Sequence, residues 1–374
     1  MKVNEDHIIS IEAAENKSCI KIIDQRLLPH SLCWETLKTS EEVAIAIEDM
    51  HLRGAPLIGA SAAFGLAFAA KEANEAADHR DYFYKRKARL EDTRPTAINL
   101  NWAVNRVSKK VLKHPTKEWF DVAWDEALKI VDEDIEQCKA IGNLGLEIIK
   151  EVFQRKGGTV NILTHCNAGW LACLDYGTAT APIYMAAEEG IPIHVWVDET
   201  RPRNQGSKLT AWELHAAGIP HTIIADNTGG HLMQHGKVDL VIVGSDRTTM
   251  NGDVANKIGT YLKALAAKDN EIPFYVALPK STFDPSKEDG LKEIPIEERS
   301  EKEISHIEGL VDNEIKTVLV APSGSPSLNY GFDITPARLI SALITERGVC
   351  KAHKNDILRL FPEFKTEQQQ TICH

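Results

Sequence analysis

Nothing in this 374-residue sequence approaches the ~18 consecutive apolar residues that a transmembrane helix requires. A basic surplus is missing too. Lys and Arg number 43 against 54 Asp and Glu, a formal net charge of −11, whereas nucleic-acid-binding faces are basic. The excess carboxylates read as a solubilising surface, which leaves room for a small anion held by local cations and helix ends. The amino terminus, MKVNEDHIIS, has no apolar core of a secretory signal, so the expected compartment is the cytoplasm. The seven cysteines contain no CxxC pair and no zinc-ribbon spacing. An odd count in that setting fits reduced thiols. No GxGxxG follows the first strong strand and no GxxxxGK[ST] occurs anywhere, which argues against a dinucleotide cofactor and against P-loop chemistry.

What is present falls into two textures. Residues 18–28 (SCIKIIDQRLL) and the following HSLCWETLK predict a small antiparallel element. Ser40-Glu41-Glu42 predicts a helix start with a serine cap and an acidic first turn. The stretch from Ala55 to about Ala73 is rich in Ala and Gly, a sign of closely packed helices, and Leu100, Val104, Val107 and Val111 form a helical stripe. Residues 117–154 predict two helices interrupted near Gly142. After Gly157-Gly158 come six short β-rich runs, at 159–164, 193–197, 221–225, 239–243, 274–278 and 317–321, with helix-like segments between most of them. Apolar strands alternating with helices indicate a parallel sheet covered on both faces. The expected fold class is therefore α/β: a Rossmann-like, doubly wound, mostly parallel six- or seven-stranded sheet over residues 151–374. A mostly helical N-terminal domain with a small antiparallel sheet precedes it over residues 1–150.

In such a sheet, ligands collect at the carboxyl ends of the strands. Those ends carry Cys166 (in ILTHCNAG), Asp198 to Arg203, Asp226-Asn227 and Gly244-Ser245-Asp246-Arg247. One carboxylate at a strand end is usually a helix cap; four polar ends in succession point to a site. A shared metal is disfavoured, because His165 and Cys166 are adjacent in an extended strand and point to opposite faces. His165 reads as a hydrogen-bonded core residue. In NGDVANKIGT (251–260), Asp253 is expected to cap a helix, with Asn256 and Lys257 in its first turn. A lysine there opposes the helix dipole. Either a bound anion resolves the conflict or the ammonium extends into solvent. Arg53-Gly54-Ala55-Pro56 and Arg94-Pro95-Thr96 each set an arginine before a helix start, as a surface residue or as a bidentate grip for phosphate.

Together RGAPLIGA (53–60), RPTAINLNWAV (94–104), THCNAG (164–169), DETRPRNQGSKLTAWEL (198–214), GSDR (244–247) and NGDVANKIGT (251–260) resemble the sugar-1-phosphate aldose–ketose isomerases related to the regulatory subunits of the translation-initiation guanine-exchange factor. The resemblance runs from about Arg53 to the C-terminal helix. It implies that Asp246 is the proton donor and Cys166 the second catalytic residue, and that Arg53, Gly54, Ala55, Arg94, Gln205, Asn256 and Lys257 contact substrate. It also implies a homodimer, a small-molecule sugar phosphate as the partner, and neither cofactor nor metal. The substrate implied is a 5-substituted ribose 1-phosphate: the S-methyl-5-thio sugar first, 5-deoxyribose 1-phosphate or ribose 1,5-bisphosphate as alternatives. A non-catalytic scaffold like the translation-factor relatives is a further alternative. The chain departs from the family's common pattern at Trp170 to Tyr176, at Ser245 and at Asn204, positions that bear on the 5-substituent. A furanose 1-phosphate opens only if its ring oxygen is protonated, so Asp246 is expected to be a buried acid with a raised pKa. Cys166 is expected to take a proton as thiolate or to stabilise charge.

Overall fold

The computed structural model describes residues 1–3, 6–94 and 98–366. Pro95 and Thr96, part of the second arginine motif, lie outside the described residues. Near the amino terminus, Ile11–Ala13, Ile20–Ile23 and Trp34–Leu37 pair as a three-stranded antiparallel sheet, with Ile20, Ile22 and Leu37 turned inward. Five helices follow: α1 (Ser40–Glu48), α2 (Ala55–Ala73), α3 (His79–Thr93), α4 (Ile98–Val111) and α5 (Trp119–Lys156).

The cap of α1 is Thr39 rather than Ser40. Its hydroxyl accepts from the Glu42 amide while the Glu42 carboxylate returns to the Thr39 amide, a reciprocal capping box. The Ser40 hydroxyl instead donates to Glu72 across to α2. Buried on almost every side, α2 uses small residues to let its neighbours approach: a Cβ on Gly59 would sit 2.9 Å from the Asn99 carbonyl oxygen of α4. The break expected near Gly142 does not occur, and α5 is one helix of 38 residues. Glycine lowers helix propensity by about 1 kcal/mol, but here it serves packing. A Cβ on Gly142 would lie 2.7 Å from the Met185 side chain, and one on Gly145 2.4 Å from Pro182. The first half of α5 adds Trp124, Ala127 and Ile130 to the helical core, and its second half adds Ile141, Leu146 and Ile149 to the core under the sheet.

The large sheet contains β1 (Val160–Thr164), β2 (Ile193–Asp198), β3 (His221–Ile224), β4 (Leu240–Val243), β5 (Phe274–Ala277), β6 (Ala342–Thr345) and β7 (Gly348–Cys350). Their spatial order is β3-β2-β1-β4-β5-β6-β7, parallel except for the antiparallel edge strand β7. The order reverses between β1 and β4, the switch point where such sheets open a crevice. Five of the six expected runs supply β1 to β5. The sixth, 317–321, does not: Glu314–Leu319 pairs with His306–Val311 as a hairpin outside the sheet, exposed along its whole length. The ALIT segment takes the sixth place instead. Both runs are short and apolar, and only the long-range choice of partner separates them.

A second sheet of four short strands, Phe283–Asp284, Arg247–Thr249, Val254–Lys257 and Phe332–Thr335 in that order, sits beyond the end of β4. It overturns the helix expected around Asn256 and Lys257. Both lie on a strand, and the next helix begins only at Thr260. Asp253 caps nothing there; its carboxylate accepts from the Gly290 and Ala337 amides. Among the described residues no helix is long and apolar enough to cross a membrane.

Candidate active site

At the switch point, the chain leaving β1 turns through Cys166, whose φ of +68° is uncommon for a residue with a side chain. Two hydroxyls clamp it there. The Cys166 amide donates to Thr200 Oγ1 at 2.9 Å, and Thr210 Oγ1 donates to the Cys166 carbonyl at 2.8 Å. The chain leaving β4 delivers Asp246, whose amide donates to the Ala255 carbonyl. Opposite stands the amino end of α2. Gly54 at φ +105° brings the backbone so close to Ala172 that a Cβ would lie 2.4 Å from its Cα. No side chain caps the amino end of α2, although Pro56 has no N–H to offer and the Ile58 amide donates to the Gly54 carbonyl.

Three adjoining cavities meet at these residues. A small inner one of about 50 Å³ is lined by Cys166, Asp246, Arg53, Gly54, Ala55, Arg94, Gln205 and Lys257. Another of about 30 Å³ shares Arg53, Gly54, Ala55, Cys166 and Asp246 and adds Asn256. A vestibule of about 440 Å³ joins through Met50, Arg53 and Gln205. All nine residues singled out from the sequence thus lie around one connected space. Asn256 and Lys257, successive on a strand, face its two sides as strand alternation requires.

The electrostatics follow from burial. Burial pushes the Asp246 carboxyl above the ordinary carboxylate range, while Lys257, Arg53 and Arg94 draw it back. Burial also raises the Cys166 thiol, again opposed by Arg53 and Lys257. Lys257, 8% exposed, has its ammonium 4.8 Å from the centre of the Phe332 ring, and burial lowers its pKa. Arg94 is 3.6 Å from Glu297, and its buried Nε has no partner among the described residues. The buried Gln205 Oε1 is likewise without a partner among the described residues. Apolar walls come from Ile58, Ala255, Ile294, Pro295, Ile296 and Phe332.

Two of the four polar strand ends are framework instead. Asp198 is fully buried, 2.8 Å from His165 Nδ1 and 3.1 Å from Lys263 Nζ. The same histidine's Nε2 lies 2.8 Å from the Ile258 carbonyl, the core role expected of it. Asp226 accepts from the Thr200 and Arg201 amides. His165, Asp198 and Asp226 could converge on a cation, but the Lys263 ammonium already stands against Asp198. Sequence reasoning missed Met50 and the whole 294–296 wall. It also missed the Glu297, Arg299 and Glu303 ion cluster behind that wall. No local pattern marks any of them. Asn167 and Glu213 stood inside quoted motifs without a role.

With this geometry in hand, the chain can be set beside known proteins. Residues 51–352 match the initiation factor 2 subunit family. The chain is 57% identical over 366 residues to a methylthioribose-1-phosphate isomerase of Sinorhizobium medicae, covering 97% of this chain and 100% of that one. Its structure resembles that of 5-methylthioribose 1-phosphate isomerase from Pyrococcus horikoshii OT3, with a TM-score of 0.81, 40% identity and 96% of each chain covered. It is also similar to the translation initiation factor eIF-2B, subunit delta, from A. fulgidus, with a TM-score of 0.77, 38% identity, 95% of this chain and 100% of that one.

Proposed function

Because this chain belongs to the initiation factor 2 subunit family, and its isomerase relatives match it from end to end, we propose that it converts S-methyl-5-thioribose 1-phosphate to S-methyl-5-thioribulose 1-phosphate, an aldose–ketose isomerisation of methionine salvage. The observation that carries the assignment of roles is that Cys166 and Asp246, 80 positions apart in the chain, line the same inner cavity with Arg53 and Lys257 in its wall.

The phosphate is held by Arg53, Lys257 and Arg94 beside the uncapped amino end of α2, where charge-assisted bonds are strongest. Held there, it places C1 and the ring oxygen against Asp246. Asp246, its pKa raised by burial, gives its proton to the ring oxygen as the C1–oxygen bond breaks. Hydrogen then moves from C2 to C1. By enolisation, Cys166, having lost its proton in the complex, takes the C2 proton and returns one to C1. By hydride shift, the C2 hydrogen passes across with its electron pair. In either route the C2 hydroxyl gives up its proton and Asp246 is recharged. The apolar wall of Ile294, Pro295, Ile296 and Phe332 excludes water, which strengthens every charge interaction inside. The inner cavity is too small for a whole sugar phosphate, so the 5-substituent extends past Gln205 toward the vestibule. The working unit we propose is a cytoplasmic homodimer, each chain divided near residue 150.

The test combines two variants with a substrate series. Asp246→Asn and Cys166→Ala should each lower kcat by at least about a thousandfold while leaving Tm near that of the parent. The methylthio sugar should give the highest kcat/KM among ribose 1-phosphates with different 5-substituents. Full activity in either variant overturns the residue roles. A folded protein that turns over none of the series is a scaffold. Loss of a C2 deuterium label to solvent eliminates the hydride shift, and its full retention at C1 weakens the enol route.

A further inference from the structure

Glu213 lies on the short helix Ala211–Ala216, is 1% exposed, and does not line the cavities. Its carboxylate nevertheless accepts four hydrogen bonds. Oε1 takes the Asn167 Nδ2 at 2.8 Å and the Leu171 amide at 3.1 Å, and Oε2 takes the Trp170 amide at 3.1 Å and the Tyr184 hydroxyl at 2.8 Å. Gly169 is a requirement of this arrangement, since a Cβ there would fall 1.8 Å from Glu213 Oε2.

The bond to Asn167 has a consequence for the site. An amide has a donor end and an acceptor end, and Glu213 Oε1, which also takes the Leu171 amide, accepts from Asn167. Thr210 Oγ1, whose proton goes to the Cys166 carbonyl, also accepts from Asn167 Nδ2, at 3.2 Å. Both neighbours therefore hold the NH2 end, and Asn167 must turn its Oδ1 the other way. That oxygen meets Arg53 Nη1 at 2.6 Å, while the Asn167 backbone carbonyl takes Nη1 at 3.1 Å and Nη2 at 3.0 Å. Three bonds thus fix the guanidinium by its far side. The remaining edge, Nε–H with the outer Nη2–H, has no protein acceptor among the described residues. Two parallel donors on a fixed edge form the bidentate fork that suits a phosphate.

We propose that Glu213 is a positioning residue for the isomerisation: by dictating which way the Asn167 amide faces, it aims the free edge of Arg53 at the substrate phosphate. This rests on the reading of Arg53 as a substrate contact. A neutral amide at position 213 offers a donor where only an acceptor fits. Either Asn167 reverses and presents NH2 to the guanidinium, or a loop amide loses its partner; buried networks of this kind tolerate neither well.

The test is a double-mutant cycle of Glu213→Gln with Arg53→Ala, reading kcat, KM and Tm for the sugar 1-phosphate. Arg53→Ala should lower kcat/KM by about a hundredfold or more. Glu213→Gln should lower it by about tenfold or more, chiefly through KM. The double variant should be no worse than Arg53→Ala alone, within about threefold. Asn167→Ala, which spares the Glu213 bonds to the Trp170 and Leu171 amides, should show the same lack of additivity with Arg53→Ala and stands in if Glu213→Gln does not fold. A Glu213→Gln variant with lower Tm but parental KM and kcat would make the carboxylate a loop anchor only and overturn the proposal. So would a double variant whose losses multiply. Unchanged kcat/KM in Arg53→Ala would instead remove Arg53 from substrate binding and the relay with it, an outcome distinct from the other two.

Discussion

Asp134, on α5, is a buried carboxyl with no cation beside it among the described residues. It accepts from the Leu174 amide at 3.1 Å and faces Cys138 Sγ at 3.9 Å, and burial pushes its pKa up to about 7. The folded protein therefore holds that proton more tightly than the unfolded chain, whose aspartates titrate near 3.8. For a group raised in this way, the stabilising contribution is complete below the unfolded value and is lost as pH climbs through about 7, at most about 4 kcal/mol at 1.36 kcal/mol per pH unit. Asp134→Asn keeps an acceptor for the Leu174 amide and cannot ionise. Urea unfolding from pH 4 to 8 should show the variant gaining on the parent above pH 5 and surpassing it at pH 8. Parallel stability curves would refute the assignment. The residue scale also shows why the site was partly legible. A thiol or a carboxyl at a strand end is visible in the sequence, whereas the orientation imposed by Glu213 on Asn167 depends on atoms brought together across 46 positions.

The element that closes the inner cavity is the segment from Ile294 to Phe332, and arginines from the loop after β2 strap it down. The Arg201 guanidinium donates to the Glu303 and Ile304 carbonyls, and Arg203 pairs with the Glu303 carboxylate at 2.9 Å. Arg299 and Asn329 bind that same carboxylate. Burial alone would raise the Glu303 carboxyl, but Arg299, with Arg203 and Asn329, brings it down to about 2. A carboxyl depressed in this way stabilises the fold fully above its unfolded value, near 4.5, and the contribution is lost as pH falls toward 2. Glu303→Gln should therefore raise hydrogen exchange or proteolytic cleavage within 294–332 by about tenfold at pH 7. The parent should reach comparable exposure only below about pH 4. Equal protection of the two proteins at pH 7 would mean that the strap is held by something else. The elements also show how local signals mislead. Gly142 looks like a helix break because its cost is local, while the close approach of Met185 that repays it is not.

Across the whole molecule, the site draws on both ends of the fold: Arg53, Gly54 and Ala55 come from the helical part, and Cys166, Asp246 and Lys257 from the sheets. A ligand seated there ties the two together and stabilises only the folded state. Substrate analogue at about 100 times its Kd should add about 2.7 kcal/mol, read as a Tm rise of a few degrees that Arg53→Ala largely abolishes. No rise at saturation would place the ligand elsewhere. By itself the sequence determined the helical-then-α/β order, the strands β1 to β5, helix α2, and the reactive side chains at the ends of β1 and β4. Each follows from a period or a chain position that only near neighbours set. Tertiary structure alone decided that ALIT rather than TVLVA becomes the sixth strand, that α5 runs unbroken, that Lys257 sits on a strand, and that 294–296 walls the cavity. Those outcomes turn on which distant surfaces pair and exclude water, a competition between segments that are equally apolar when read one at a time.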